Sequence, residues 1–227
     1  MNCLVLGDGL LGSEIRKQTN WDYLSRKKDN IDFNNPGTFF GKLRDYDVVI
    51  NCIANTNTYS KDKDPHWETN YKSVSRLCDF LYGEKIKLVH ISTDYVYANN
   101  ENLPSELDVP VHAENWYSYT KLLADTYIEL KSDNYLIVRC SHKPTPFPYS
   151  KAYSNVIGNF DYVNVIAENI IKLINNNANG IYNVGTELKS MYELAKKTIP
   201  NVLTDLAPET MPKNLNMSLD KFKYDFH

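Results

Sequence analysis

With 227 residues, 42% hydrophobic and 23% charged, the chain can bury one sizeable core, about 70% of the surface its unfolded form exposes. It is too short for two large domains. Its net charge of -3 gives no electrostatic reason for a nucleic acid polymer or an anionic membrane as partner. The N-terminal MNCLVLG has no basic n-region, and no apolar run approaches the ~18 residues that span a bilayer, so a cytoplasmic protein is expected. Cys3, Cys52, Cys78 and Cys140 are scattered, with no C-x-x-C pair and no histidine at ligand spacing. They read as reduced core residues, and no metal site is expected.

Cys3 to Leu6 is the first apolar run of strand length, and GDGLLG follows it at once where a helical pattern begins. That is the context in which G-x-G-x-x-G cradles a pyrophosphate. Gly7 lets the chain turn, Gly9 lets backbone N–H groups approach the phosphates, and Gly12 lets helix and strand pack closely. The helix start at Leu10 and Leu11 supplies partial positive charge. A tight turn with no ligand is the plain alternative. About 20 residues on, where an acidic residue selects NAD, the chain reads Ser25, Arg26, Lys27, Lys28, with Asp22 too early. A hydroxyl and cations suit a 2'-phosphate, which favours NADP over NAD; a solvated basic turn is the alternative.

Further apolar runs at Tyr46 to Ala54, Ile86 to Ile91 and Tyr135 to Cys140 alternate with helical periodicity at Trp67 to Leu81 and Tyr117 to Leu130. Short runs apolar on both faces, joined by helix-length connections, require a parallel sheet covered by helices. The expected fold is α/β, a doubly wound parallel (Rossmann) sheet. HKPTPFPYSKAYS, after Cys140, carries three prolines and reads as a loop. In DYVNVIAENIIKLINNN, the residues Val163, Ile166, Ala167, Ile170, Ile171 and Ile174 fall on one stripe, with Asp161 placed as the cap and the asparagines marking the end. IYNVG reads as a strand, Ser190 with Glu193 as a capping box, and the tail after Pro200 as weakly patterned. Residues 1–142 with 160–178 are expected to form the dinucleotide-binding domain, and 143–159 with 179–227 a small C-terminal substrate lobe.

NWYSYTKLLAD, Asn115 to Asp125, sets two tyrosines ahead of one lysine. Helical residues four apart share a face and residues two apart point about 200° away from each other, so Tyr117, not Tyr119, neighbours Lys121. The same spacing occurs at Tyr23/Lys27, Tyr59/Lys63, Tyr127/Lys131 and Tyr192/Lys196. Order separates the pairs: KLVHIST ends in Thr93 at the carboxyl end of a strand, where ligands of open α/β sheets sit, and the helix of Tyr117 follows. A solvent-facing amphipathic pair is the plain alternative. His90 reads as a packed strand residue, and His66, His112 and His227 carry no usable pattern.

VVINCIANT (Val48 to Thr56), TNYKSV with Asn70, HISTDYVY, NWYSYTKLLAD, LIVRCS and PKNLNMSLDKF (Pro212 to Phe222) together resemble the extended short-chain dehydrogenase/reductase superfamily. Within it, the resemblance is greatest to the dTDP-4-dehydrorhamnose reductase family, and it covers most of the chain. It implies Thr93, Tyr117 and Lys121 as the catalytic triad, Asp32 with Phe33 at the adenine, Ala54 approaching the cofactor through its backbone, and Asn70 as a support. The implied activity is that of an oxidoreductase of dTDP-rhamnose biosynthesis, an NADP-dependent reduction of a 4-keto-6-deoxy nucleotide sugar. Tyr117 would give the proton, Thr93 would bond the oxygen, and Lys121 would shift the phenol's pKa and hold the ribose.

The family's glycine loop usually has one more residue between its first two glycines. Similar nucleotide-sugar dehydratases follow Thr-Asp with a glutamate, whereas this chain has Thr93, Asp94, Tyr95, which favours plain carbonyl reduction. His142 stands where the family has an aromatic residue. The abbreviated segment after it offers Lys143, Tyr149, Lys151 and Tyr153 to a diphosphate and base. That shortening raises a rival of another class, a cofactor-binding regulatory subunit like the β subunit of methionine adenosyltransferase, which resembles the same family. An epimerase that retains NAD is the third reading. An isologous homodimer is the commonest assembly.

Overall fold

The computed structural model describes residues 1–108, 110 and 115–226, so His112 and His227 lie outside the described residues. Six strands, β1 (Cys3–Leu6), β2 (Asp22–Leu24), β3 (Val48–Asn51), β4 (Lys87–Ile91), β5 (Tyr135–Cys140) and β6 (Gly180–Val184), form one sheet in the order β6-β5-β4-β3-β1-β2. Every pairing in it is parallel. Side chains alternate between faces, and both faces are apolar. Cys3 and Val5 face α1 (Leu10–Gln18) and a later helix at Val163–Asn175, while Leu4 and Leu6 share a core with Leu77, Ala124 and Ile128. Those last three come from α2 (Ser73–Leu81) and α3 (Trp116–Lys131); the helix Val163–Asn175 is α4. With helices on both faces, the sheet is the doubly wound arrangement expected. Its strand order reverses beside β1, which opens a crevice between the carboxyl ends of β1 and β3.

Several elements differ from expectation for physical reasons. β3 ends at Asn51; beyond it Cys52 and Ala54 leave the sheet to wall the crevice, while Ile53 packs against the core. β6, grouped with the lobe in the sequence division, is the sixth strand of the main sheet; α4 is its crossover from β5. Asp161 does not cap α4, whose N-cap is Tyr162 without a side-chain cap bond. Its carboxylate instead accepts from the Tyr162 N–H at 2.7 Å and from buried Lys189 at 3.2 Å. The helix expected from Trp67 begins earlier, at Asp64, and passes through a π-helical turn at Trp67–Lys72 before α2.

The proline-rich stretch contains two short strands, His142–Lys143 and Lys151–Tyr153, paired with Asp161–Tyr162 and Leu203–Asp205. Phe147, Ala152, Val156, Phe160, Met191 and Leu194 form a separate apolar cluster there. The capping box is present, Ser190 Oγ accepting from Glu193 N–H at 3.1 Å. In the weakly patterned tail, Asp220–Phe226 is a helix whose Phe222 packs into the main core. All four cysteines are free thiols; Cys3, Cys78 and Cys140 are buried and Cys52 is half-buried.

Side chains occupy part of the open edge of β6. Glu106 accepts from the Asn183 N–H at 2.8 Å, Lys221 donates to the Ile181 carbonyl at 2.6 Å, and Asn183 Nδ2 donates to the Ser218 carbonyl at 3.1 Å. At the other edge β2 has only three residues, with the Arg16 guanidinium 3.1 Å and the Lys28 ammonium 4.1 Å from the Tyr23 ring centroid. Among the described residues no helix is long and apolar enough to cross a membrane.

Candidate active site

A cleft of about 870 Å³ lies over the carboxyl ends of β1, β3, β4 and β5. Gly9, Leu10 and Leu11 line it from the start of α1, Ala54 from the segment after β3, Thr93 from the end of β4, and Tyr117 with Lys121 from α3. Residues distant in sequence thus converge because four parallel strands end together. Gly7 and Gly12, expected to meet the cofactor, are not among the residues lining the cleft; they pack against each other and Cys52. Gly7 has φ +98°, a conformation that favours glycine, and a Cβ at Gly12 would sit 2.3 Å from the Gly7 carbonyl oxygen. That contact brings the N-terminus of α1 up to the crevice with its amide groups facing it. Gly12→Ala is therefore expected to cost about 3 kcal/mol in urea unfolding and to weaken binding of a dinucleotide measured by fluorescence titration.

Asn115 starts α3, its side chain accepting from the Ser118 N–H at 2.9 Å. Lys121, Ala124, Asp125 and Ile128 are buried at helical spacing, and Tyr117, half-buried, lies one turn before Lys121. Tyr117 lies on the same cleft as Thr93, whose hydroxyl donates to Asp94 at 3.3 Å and accepts from the Tyr95 N–H at 3.2 Å; burial pushes the Tyr117 phenol well above the ordinary range, although Thr93 acts to lower it. Lys121 is held down at about 8 by burial, against the opposing pull of Asp125 and the Cys140 and Cys52 thiols. Tyr119 points elsewhere, its ring meeting Trp116 edge-on at 5.8 Å. It lines an adjoining hollow of about 800 Å³, walled also by Trp67, Trp116, Lys61 and Lys63.

Asn70, in the π-helical turn, clamps the wall of the cleft. Its Oδ1 accepts from the Asn55 N–H at 2.7 Å, and its Nδ2 donates to the Asn55 carbonyl at 3.0 Å and to Thr120 Oγ1 at 3.2 Å. One amide thus ties the segment after β3 to the helix of Tyr117. A second brace is fully buried: Asp125 accepts from Ser92 Oγ at 2.8 Å and from Arg139 Nε at 3.1 Å, and Arg139 also donates to the Tyr97 hydroxyl.

Not every expected residue reaches the cleft. Arg26 is exposed on a short helical turn after β2, and Asp32, exposed, accepts from the Asn34 N–H. Phe33 is buried in the core, near Phe39. None of the three is among the residues lining the cleft. Ser25 is buried and spends its hydroxyl oxygen capping Lys28 N–H at 3.1 Å, so only cations face solvent there. Among the described residues no group of three or more His, Cys, Asp or Glu is placed to hold a metal ion.

Of three further titratable groups near Thr93, sequence reasoning offered Lys143 to a diphosphate and noted His142 in place of an aromatic residue, but missed Asp94. Lys143 and His142 line the cleft, and burial lowers both, His142 to about 4. Asp94 is buried, one carboxyl oxygen has no partner among the described residues, and burial raises it to about 7 from 3.8. Folding therefore takes up a proton between those two values, and stability from this group falls as pH rises through the window, then levels off. Asp94→Asn is expected to leave unfolding nearly unchanged near pH 4 and to stabilise by about 3 kcal/mol at pH 8, as read by urea titration at both pH values.

Residues 1–143 match the family described as the RmlD substrate binding domain. The spore coat polysaccharide biosynthesis protein SpsK of Bacillus subtilis strain 168 is 28% identical over 211 residues, 82% of this chain and 74% of that protein. The dTDP-4-dehydrorhamnose reductase of Mycolicibacterium smegmatis is 33% identical over 95 residues, 40% of this chain and 29% of that protein. Among solved structures, dTDP-4-dehydrorhamnose reductase from Bacillus anthracis, in complex with NADP, superposes with a TM-score of 0.85 at 22% identity, covering 100% of this chain and 92% of that one. At that identity the likeness is one of fold.

Proposed function

We propose, from the premise that this chain belongs to the RmlD substrate binding domain family, that it is an NADP-dependent oxidoreductase reducing the 4-keto group of a 6-deoxy nucleotide sugar. The observation that carries the reading is the meeting of Tyr117, Thr93 and Lys121 in one cleft above a glycine turn. The turn itself fits a dinucleotide: a side chain at residue 12 would occupy the approach of α1 to β1, and Arg26, Lys27 and Lys28 would supply cations to a 2'-phosphate. Asp32 and Phe33 would border the adenine, and the backbone at Ala54 the nicotinamide half.

NADPH, when bound, supplies a hydride to the carbonyl carbon. Negative charge would then grow on the carbonyl oxygen, and a preorganised donor is worth most where water is scarce, as at Thr93, which is 3% exposed. Thr93 would donate its hydroxyl hydrogen to that oxygen. Tyr117 keeps its proton at neutral pH because burial raises its pKa, so it is a general acid in the state the reaction needs. Lys121 would hold the ribose. Lys143, Lys151, Tyr149 and Tyr153 line the same cleft and would take the diphosphate and base of the sugar nucleotide.

The test is loss of NADPH absorbance on mixing the purified chain with dTDP-4-keto-6-deoxymannose. Stoichiometric oxidation with reduced sugar nucleotide as product supports the reading. Tight NADPH binding without turnover points to the regulatory subunit, which the shortened stretch after Ser141 favours. NAD recovered from the purified protein, with no net oxidation, points to an epimerase.

A further inference from the structure

Lys121 sits at the end of a buried polar chain that the proposed chemistry does not use. Asn51 ends β3, His90 lies in β4, and the two side chains and Lys121 show 1%, 0% and 1% exposure. The Asn51 carboxamide oxygen accepts from the Ile53 N–H at 3.0 Å, which turns its NH2 toward His90 Nδ1, 3.2 Å away. An NH2 group only donates, so Nδ1 must carry a lone pair. A neutral imidazole then has its one proton on Nε2, and Nε2 lies 3.0 Å from Lys121 Nζ. His90 is neutral, since burial, the largest influence on it, holds it well below the usual histidine range.

Two donors cannot share that contact. With Nε2–H fixed, Lys121 Nζ accepts across that contact only as the uncharged amine, so the arrangement draws a lysine already held down at about 8 further toward its amine form. The amine's first N–H goes to the Ile91 carbonyl at 2.6 Å, and its second remains for a ribose hydroxyl. Charging Lys121 drives the imidazole proton to Nδ1, against the Asn51 NH2. Turning Asn51 to relieve the clash leaves the Ile53 N–H unpaired instead, and either outcome buries an unsatisfied donor. The other groups that act on Lys121 are Asp125 on its own helix, already paired with Arg139, and the Cys52 and Cys140 thiols beyond β3 and at the end of β5. Burial keeps both thiols protonated.

We propose that His90 is a positioning residue: fixed by Asn51 as the Nε2–H tautomer, it donates to Lys121 and favours the uncharged amine. The charge state of the ribose-holding lysine is thus set two residues away, at the end of β3. This rests on the reductase reading only for its effect on turnover.

Asn51→Asp is the decisive variant. A carboxylate oxygen accepts from Nδ1–H, so it inverts the tautomer and presents a bare Nε2 to an ammonium. Imidazole nitrogen NMR of the full-length, cofactor-free protein reads the tautomer directly, with the His90 signal identified by its loss in His90→Gln. The expected result is Nε2–H in the wild type, Nδ1–H in Asn51→Asp, and an alkaline limb of kcat/KM for NADPH oxidation about one pH unit higher in the variant. An Nδ1–H wild type overturns the proposal, and the native protein alone suffices if the variant does not fold. A tautomer that ignores Asn51→Asp, or a limb that stays put although the tautomer switches, also overturns it. The expected tautomers in a protein that never oxidises NADPH would count against the reductase alone.

Discussion

Tyr117→Phe is expected to reduce NADPH turnover by about 10²- to 10⁴-fold, the usual contribution of a general acid, while changing NADPH affinity by less than about threefold. The substitution removes one hydroxyl and nothing that packs. The ring meets Tyr95 edge-on at 6.0 Å and His66 at 6.5 Å, and phenylalanine keeps both contacts. What disappears is the phenol proton assigned to the carbonyl oxygen, in the cleft that Thr93 also lines. Thr93 and Lys121 remain to orient ligands, so binding should survive the loss of chemistry. Single-turnover kinetics with saturating NADPH, beside a fluorescence titration of the same protein, separates the two effects. Turnover retained by the phenylalanine variant would remove Tyr117 from the reaction.

Arg139→Met is expected to destabilise the fold by about 3–5 kcal/mol, because it strands a buried carboxylate. Arg139 and Asp125 show 2% and 0% exposure with 3.1 Å between Nε and Oδ2. The guanidinium also holds the Tyr97 hydroxyl, which itself donates to the Ser105 carbonyl at 3.1 Å. Burial already raises Asp125, and Arg139 is the strongest opposing influence. Without Arg139 the carboxyl takes a proton on folding, so the variant's deficit should grow as pH rises. Adding Asp125→Leu removes both charges and should recover most of the loss, since a well-packed apolar pair often equals a buried ion pair. Urea unfolding of both variants at pH 5 and pH 8 measures it; a double variant as unstable as the single one would show that α3 needs the ion pair itself.

The sheet was legible where burial on both faces writes itself as an uninterrupted apolar run, as in Cys3–Leu6 and Tyr135–Cys140. It was not legible at Cys52 to Ala54, because a crevice wall is as apolar as a strand and only three-dimensional pairing tells them apart. The last helix was missed although Phe222 and Phe226 stand four apart and pack on each other at 5.6 Å; the charged residues between them hid that spacing. In the site, strand order before helix was enough to single out Tyr117, Lys121 and Thr93. His90 could not be singled out in this way. Its partners lie 39 residues before it and 31 after it, and a lone histidine inside a strand carries no local sign of either. Asp94 was similarly hidden, since its raised pKa comes from burial that its polar neighbours in sequence do not announce.

An unpaired rim strand is the usual route by which one β protein recruits another. In this chain the carboxylate of Glu106 and the ammonium of Lys221 already occupy backbone positions that an incoming strand would need, and the opposite rim is too short and too cationic to serve as a template. At the rims of the main sheet an incoming strand would therefore have to displace Glu106 and Lys221 or pair with a three-residue strand. Assembly through helical or lobe surfaces is the easier route, and crowding should not drive the folded chain toward fibres.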